Sequence, residues 1–207
     1  MKQAAVKIVV ATRNRHKVRE IAALLAEAGL DLEAVTIDEV APHAELLENE
    51  DTFEGNALAK ARQASVACAL PAIADDSGIE VDALGGAPGV RSARWAGEPS
   101  DDARNNEKML REMALVPTGR RTARYRCAAA FVDVEKNLEV VRAGACEGVL
   151  LTEARGAGGF GYDPLFLVPS LGRTMAEIDL AEKNRLSHRA AAFCALAQAL
   201  PEVLPKK

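Results

Sequence analysis

The sequence predicts a mixed α/β fold, and three features of its pattern support this prediction. The chain opens with an apolar, β-branched segment at residues 6–11, which is typical of a buried strand. An amphipathic helix is expected over residues 17–28, closed by Gly29. Two later apolar segments, 124–134 and 138–145, flank a short polar turn and predict a hairpin. We therefore expect an α/β fold with a mixed sheet, arranged as two lobes with a cleft between them.

The remaining elements follow in chain order. An Ala-rich helix is expected over residues 52–70 and ends at Pro71. A short strand at 72–74 is then followed by a loop over 75–90. The other predicted elements are strands at 33–37, 148–151 and 164–168, a helix over 101–113, and a final helix that Ser187 caps and that ends near Leu200.

The composition favours a globular protein and argues against binding to nucleic acid. The chain has 207 residues, of which 49% are hydrophobic and 27% charged, with a formal net charge of −4. General nucleic-acid binders usually carry a basic surface, so no nucleic-acid partner is expected. We treat residues 1–207 as a single domain of two lobes.

Cysteine usage and hydropathy indicate the compartment. The four cysteines show no metal-binding spacing, and we expect buried thiols in a reducing environment. Residues 1–5 lack the apolar core of a signal peptide, and no later segment is long and apolar enough to span a bilayer. The sequence therefore predicts a cytoplasmic protein with no membrane partner.

Basic residues crowd the expected starts of two helices. A helix start carries a partial positive charge, so cations there are unfavourable unless an anion binds among them. His188 and Arg189 follow the cap of the last helix. Two such starts favour a polyanionic ligand, with a solvated basic loop as the alternative. The segment before the first helix is Thr12-Arg13-Asn14-Arg15-His16-Lys17.

A pair of carboxylates follows the predicted short strand. Asp75 and Asp76 precede Ser77 and Gly78, and neighbouring residues of a strand point to opposite faces. Carboxylate oxygens suit Mg²⁺, which binds through one or two carboxylates and substrate phosphates. Glu48 is a candidate second ligand. The alternative is an Asp-rich turn with Gly78 supplying the bend.

A glycine-rich run at residues 156–161 matches the dinucleotide-binding pattern G-x-G-x-x-G but lacks its context. That pattern requires a following helix, whereas a strand-like segment bracketed by prolines follows here. We expect these glycines to bring the backbone close to a flat ligand, with Phe160 stacking on a base. Core packing is the alternative role for Phe160.

In combination, these segments resemble the inosine triphosphate pyrophosphatase family, whose members hydrolyse noncanonical purine nucleoside triphosphates. Any single segment could occur by chance, but their order along nearly the whole chain is specific. The matching segments are Thr12–Lys17, Thr52-Phe53, Asn56-Ala57, Lys60-Ala61, Ala74–Gly78, Gly85–Gly89, Ser92–Arg94, Phe160–Asp163, Lys183 and Ser187–Arg189.

The resemblance implies a fold, a reaction and a set of site residues. The implied fold is an elongated mixed-sheet structure of two lobes with a deep central substrate cleft, usually a homodimer. The implied reaction is Mg²⁺-dependent hydrolysis of ITP, dITP or XTP to the monophosphate and pyrophosphate, which keeps these nucleotides out of DNA and RNA. Asp76 would be the general base and, with Glu48, a metal ligand. The implied substrate contacts are Thr12, Asn14 and Lys17 at the triphosphate, Ser77, and a base pocket of Phe160, Gly161, Tyr162, Asp163, Lys183, His188 and Arg189; Arg13, Arg15 and His16 complete the predicted basic segment.

Two other functions remain open from the sequence. One is a pyrophosphatase of the Maf-like kind that acts on modified pyrimidine or methylated nucleotides. The other is a nucleotide sensor without turnover, although paired carboxylates beside a triphosphate would repel it unless a metal bridged them. The chain also departs from the family pattern, with Arg13 in place of a small Gly and Gly55 in place of a common Glu.

Overall fold

The computed structural model describes residues 6–30 and 32–203 and shows a mixed α/β fold. Residues 1–5, on which the expected lack of a signal peptide depends, lie outside the described residues. The strands are β1 (Val6–Val10), β2 (Leu32–Thr36), β3 (Ala72–Val81), β4 (Thr122–Asp133), β5 (Leu138–Leu150), β6 (Phe166–Val168) and β7 (Arg173–Thr174). The α-helices are α1 (Arg15–Glu27), α2 (Ile37–Val40), α3 (Phe53–Cys68), α4 (Asp102–Glu112), α5 (Leu180–Leu186) and α6 (His188–Val203).

The strands form one sheet in the order β2-β1-β3-β4-β5-β6-β7. β1 pairs in parallel with both β2 and β3, whereas β6 pairs antiparallel with β5 and with β7. Parallel neighbours need a crossover segment between them, and α1 and α3 lie in the connections that lead to β2 and β3. The predicted mixed sheet is therefore confirmed.

The chain divides into two compact units, each with its own apolar core. The first unit comprises the described residues within 1–76, 127–144 and 189–207, and the second comprises 77–126 and 145–188. The predicted cleft and elongated shape stay predictions. The core of the first unit contains Ile8, Val10, Ile21, Leu24, Leu25, Ile73, Phe131, Phe193, Leu196 and Leu200. The core of the second contains Ile79, Val81, Met109, Met113, Tyr125, Leu150, Tyr162, Leu165, Phe166 and Met175.

The prediction of a loop over residues 75–90 was wrong at its start, because β3 continues through Val81. The acidic pair and Gly78 interrupt the apolar pattern, which is why the sequence indicated a turn. In the structure nearly all of the strand is buried, and the carboxylates find basic partners among the surrounding residues. Tertiary pairing therefore overrides the local preference of Asp and Gly for turns.

Several boundaries also differ from the prediction. α1 begins at Arg15 because the Asn14 side chain caps it, so the basic residues 15–17 form its first turn. The strands predicted at 138–145 and 148–151 are one strand, β5, and α5 was missed. Ser187 ends α5 as well as preceding α6. Of the four cysteines, all free thiols, Cys194 is exposed, which contradicts the expectation that each is buried.

Hydropathy gives one further result for the helices. None of those in the described residues is long and apolar enough to cross a membrane.

Close packing at Gly148 yields a stability prediction. A Cβ atom at this buried position would lie 2.3 Å from the ring of Phe166 and 2.7 Å from the Leu167 carbonyl oxygen. Because the ring is fully buried and the second neighbour is backbone, neither can move away cheaply. We expect Gly148→Ala to lower the free energy of unfolding by about 1–3 kcal/mol in urea denaturation. The matched control is Gly119→Ala, where a Cβ meets nothing within 4 Å and the change should stay within about 0.5 kcal/mol.

Candidate active site

Two adjacent carboxylates in β3 form the centre of the first unit's polar site. Asp75 is 0% exposed and Asp76 is 5% exposed. Their partners differ, as expected for side chains on opposite faces of a strand. Asp75 pairs with Lys17 and Arg189, whereas Asp76 pairs with Asn56 and Lys60.

Asp75 belongs to a buried chain of alternating charges. Its Oδ2 atom lies 3.1 Å from Lys17 Nζ and accepts hydrogen bonds of 3.1 Å from both Nε and Nη2 of Arg189. Arg189 in turn donates from Nη1 to Glu20 in α1. These contacts join β3, α1 and the start of α6 by charge pairs in the core.

The burial of Arg189 gives its position at a helix start a second explanation. Its guanidinium is 1% exposed and is balanced by Asp75 and Glu20, so no bound anion is needed to account for the charge. Its neighbour His188 belongs to the other unit and stacks on Tyr125 with ring centroids 4.7 Å apart. The two residues predicted to act together in one pocket therefore have different surroundings, and a direct contact of Arg189 with the base stays a prediction.

Asp76 belongs to a second cluster, which includes Glu48. Lys60 in α3 donates to Glu48 and lies 3.8 Å from Asp76 Oδ1. Asn56, one turn earlier in α3, donates to Asp76 Oδ2 at 2.9 Å and accepts from the backbone N–H of Glu50. The structure thus brings both predicted metal ligands to the same buried lysine.

The pKa values of the two carboxylates move in opposite directions. Burial alone would raise the pKa of Asp75, but attraction from Lys17, Arg189 and Lys60 outweighs it and holds the pKa well below its usual range. For Asp76, burial outweighs Lys60 and Lys17, and repulsion from Glu48 adds to it, so the pKa is raised. Asp76 is therefore the more basic carboxylate of the pair.

The start of α1 provides backbone donors and one inward-facing cation. Asn14 Oδ1 caps the helix by accepting from the N–H groups of His16 and Lys17. Thr12 Oγ1 accepts from the N–H of Asn14, while Arg15 and His16 are exposed. Among the four basic residues of this segment, Lys17 forms an ion pair with Asp75.

Arg13 turns away from the acidic pair. Its Nε atom donates to Asp38 at 3.0 Å, and its Nη2 atom donates to the carbonyl oxygens of Pro42 and Ala44. The Arg13 side chain therefore holds α2 and the segment that follows it.

In the second unit, Asp163 gathers three hydrogen-bond donors. Its Oδ2 atom accepts from Lys183 Nζ at 2.8 Å and from the backbone N–H of Phe160 at 3.0 Å, and its Oδ1 atom accepts from the Tyr125 hydroxyl at 3.1 Å. Lys183 Nζ also lies 4.6 Å from the centroid of the Phe160 ring. Phe160, Asp163 and Lys183 are therefore held together as one cluster.

The glycine-rich run makes close approaches within the protein, which the sequence interpretation did not include. Gly159 has φ of +72°, and a Cβ atom there would lie 2.1 Å from Asp163 Oδ2. No helix follows the run: turns at residues 161–165 lead into β6, which confirms the rejection of a dinucleotide-binding motif. The glycine at 159 thus permits the bond between Asp163 and the Phe160 N–H.

Three residues that complete these clusters were given no role in the sequence analysis, although Asn56 and Lys60 lie in segments that match the family. Asn56 and Lys60 are four residues apart in α3, and both are buried polar residues in an Ala-rich helix. That spacing places them on one helix face and was the available signal. Tyr125 lies in an apolar strand pattern, so nothing in the sequence distinguished it from a core residue.

We expect opposite effects on stability from isosteric changes at the two carboxylates. Asp75→Asn leaves Arg189 and Lys17 short of a buried partner and should lower the free energy of unfolding by about 3–5 kcal/mol at pH 7. Asp76→Asn removes a charge that burial disfavours. In the absence of divalent ions it should therefore raise the free energy of unfolding by about 0.5–2 kcal/mol. Urea denaturation of both variants measures the difference, and a loss of stability in both would contradict it.

The pH dependence has the same origin. Because the pKa of Asp75 is lower in the folded protein, its contribution is present above about pH 4 and is lost as the pH falls below that value. Because the pKa of Asp76 is raised, its cost is present at neutral pH and is relieved as the pH falls through the folded pKa. At neutral pH the free energy of unfolding of Asp75→Asn should therefore lie below that of the wild type and that of Asp76→Asn above it. Both differences should shrink as the pH falls.

Comparison with known proteins identifies the family to which this chain belongs. Residues 8–199 match the model of the Ham1 family. A dITP/XTP pyrophosphatase of Desulforamulus reducens is 49% identical over 90% of this chain and 92% of its own length. The dITP/XTP pyrophosphatase of Escherichia coli K12 is 48% identical over 94% of this chain and 98% of its own length. The solved structure of a HAM1 protein from Coxiella burnetii has a TM-score of 0.85 at 39% identity and covers 95% of this chain and 99% of its own. Family model, relatives and structure agree with the resemblance found in the sequence, and the chain belongs to the Ham1 family.

Proposed function

We propose that this protein hydrolyses noncanonical purine nucleoside triphosphates such as ITP, dITP and XTP to the monophosphate and pyrophosphate. The observation that carries the proposal is Asp76, a buried carboxylate with a raised pKa held by Asn56 and Lys60 next to Glu48. A carboxylate of this kind can accept a proton from an attacking water at neutral pH better than an ordinary aspartate. The names of the relatives, dITP/XTP pyrophosphatases, support the substrate class.

Lys17 and the start of α1 would bind the triphosphate. The helix start offers backbone N–H groups and a partial positive charge, and Lys17 lies at its inner side. Lys60 adds a cation near Asp76. Burial lowers the pKa of Lys60, but attraction from Asp76 and Glu48 outweighs burial and raises that pKa above its usual value. Lys60 therefore stays protonated and would stabilise charge that develops on the phosphates.

Glu48 and Asp76 fit a divalent cation such as Mg²⁺. Both offer hard oxygen donors, and both already share one cation, the ammonium group of Lys60. Within the described residues no group of three or more His, Cys, Asp or Glu side chains forms a metal site, so phosphate oxygens and water would complete the coordination. When bound, the metal would supply charge neutralisation for the pyrophosphate leaving group.

Phe160, Asp163 and Lys183 would bind the base. The Phe160 ring can stack on a purine, and the Lys183 ammonium is a donor for a 6-keto oxygen, held by Asp163. A 6-amino group would leave that donor unpaired, which disfavours adenine nucleotides. Gly161 and Tyr162 would belong to the same loop, and Ser77 and His188 would complete the substrate contacts of this unit.

Pyrophosphate release from a panel of nucleotides distinguishes the proposed function from the two alternative functions. Release of pyrophosphate from dUTP or methylated nucleotides in preference to ITP and XTP would favour the Maf-like function, and binding of ITP without turnover would favour a sensor. The names of the relatives support the purine pyrophosphatase over both.

A homodimer and a cytoplasmic location complete the proposal. Size-exclusion chromatography with light scattering tests whether the protein is a homodimer.

The role of Asp76 gives the first functional prediction. Asp76→Asn should lower kcat for ITP by about 100-fold or more, because it removes the proposed base, while ITP binding stays measurable by calorimetry. The control is Asp133→Asn, a conversion of the same kind at a buried carboxylate whose contacts are with Lys136 in the hairpin turn. Turnover near the wild-type rate in Asp76→Asn would contradict the proposal.

The selection of the base gives the second functional prediction. We expect Lys183→Ala to reduce the ratio of kcat/KM for ITP over ATP by about tenfold, since it removes the donor for the keto oxygen. Lys136→Ala, at an exposed lysine of the hairpin turn, should leave the ratio unchanged. An equal loss on both nucleotides in Lys183→Ala would assign this lysine to phosphate binding or to structure instead.

A further inference from the structure

Two residues of α4 bind the backbone of the base-binding loop. The N–H of Gly161 donates to Asp102 Oδ2 at 2.7 Å, and the carbonyl oxygen of Gly161 accepts from Asn106 Nδ2 at 2.8 Å. Asp102 and Asn106 are four residues apart and so lie on the same face of the helix. Both polar groups of one residue in the loop are therefore held by adjacent turns of one helix.

Neither α4 residue makes the bond that caps the helix. Asp101 is the N-cap and accepts from the N–H of Arg104, so Asp102 is not required for that bond. Asn105, the neighbour of Asn106, binds the backbone of Ala93 and Ala96. The side chains of Asp102 and Asn106 are thus available for a separate task, and each uses its bond on Gly161.

The orientation of the Asn106 amide is set by its partner. A carbonyl oxygen accepts and cannot donate, so the NH₂ group must face Gly161. The other amide atom, Oδ1, is buried and has no hydrogen-bond partner among the described residues. The bond to Gly161 is therefore the contact that fixes the orientation of this amide.

Gly161 lies between the two side chains that would contact the base. Phe160 precedes it, and Asp163, which holds Lys183, follows two residues later. Tyr162, between them, is anchored by its hydroxyl group to the carbonyl oxygen of Ser92 at 2.9 Å. A rotation of either peptide group at Gly161 would move the Phe160 ring relative to the Lys183 ammonium.

We propose that Asp102 and Asn106 are positioning residues that fix the peptide groups of Gly161 and thereby hold Phe160 and Lys183 in the geometry that binds the base. The proposal rests on the proposed function, in that the loop is taken to bind the base of the substrate. It extends that function to α4, whose residues contact the loop and not the reacting atoms. The effect is expected on KM, because a loosened loop weakens base binding before it affects the chemistry at Asp76.

Asp102 and Asn106 need different substitutions to break their hydrogen bonds to Gly161. Asn106→Asp replaces the donor by a carboxylate oxygen facing the Gly161 carbonyl oxygen, and we expect KM for ITP to rise about tenfold with kcat within about twofold. Asp102→Asn keeps an amide oxygen that can accept from the Gly161 N–H, so KM should stay within about threefold. Asp102→Leu removes the acceptor and should raise KM as Asn106→Asp does. The matched control for Asn106→Asp is Asn137→Asp on the exposed hairpin turn, with KM unchanged.

A second readout does not depend on turnover. Hydrogen exchange of the Gly161 amide, followed by NMR in the whole protein, should accelerate about tenfold or more in Asp102→Leu and stay near the wild-type rate in Asp102→Asn. Unchanged exchange in Asp102→Leu, or an unchanged KM in Asn106→Asp, would overturn the proposal. So would a KM increase that appears only together with an equal loss of kcat and a lower melting temperature. If the wild-type protein did not hydrolyse ITP, the proposed function would fail, whereas the amide exchange would still decide whether α4 holds the loop.

Discussion

Two adjacent aspartates inside a strand impose the main electrostatic constraint on this protein. Water cannot solvate Asp75 or Asp76 fully, because no more than 5% of either residue is exposed. Charged carboxylates in such a position require cations or donors from the surrounding elements. α1 supplies Lys17, α3 supplies Asn56 and Lys60, and α6 supplies Arg189. The arrangement of these helices around β3 is therefore tied to the same charges that form the site.

The two carboxylates answer this constraint in different ways. Asp75 receives enough positive charge that its ionised form is stabilised, and its contacts extend to Glu20 in α1 through Arg189. Asp76 receives less and shares its cation with Glu48, so its ionised form is disfavoured. A structural carboxylate and a reactive one thus arise from the same pair of residue types. The difference comes from the number of cations each faces, a general route by which proteins separate acid and base roles.

The second unit solves a different problem, that of holding a glycine-rich loop in one conformation. Glycines allow Asp163 to approach the backbone of residue 160, but they leave the loop with few side chains of its own for packing. Hydrogen bonds from Tyr125, Lys183 and α4 replace that packing. The loop is consequently held by polar contacts, which are directional and so suit a surface that must present a ring and a donor to a ligand.

The sequence by itself determined the order of most elements, the mixed α/β class and the family, because apolar periodicity and short motifs are local or ordered along the chain. It also placed Glu48, Asp76 and Phe160 among the candidate residues from their types and positions, and Asp163 and Lys183 through the family resemblance. It did not determine that β3 continues through the acidic pair, or that Arg189 is balanced by Asp75 and Glu20. Nor did it indicate that α4 binds Gly161. These features depend on contacts between residues that are 55 to 169 positions apart, or on cations that overcome the local preference of aspartate for turns. Local pattern cannot encode such pairings, so only the tertiary structure decided them.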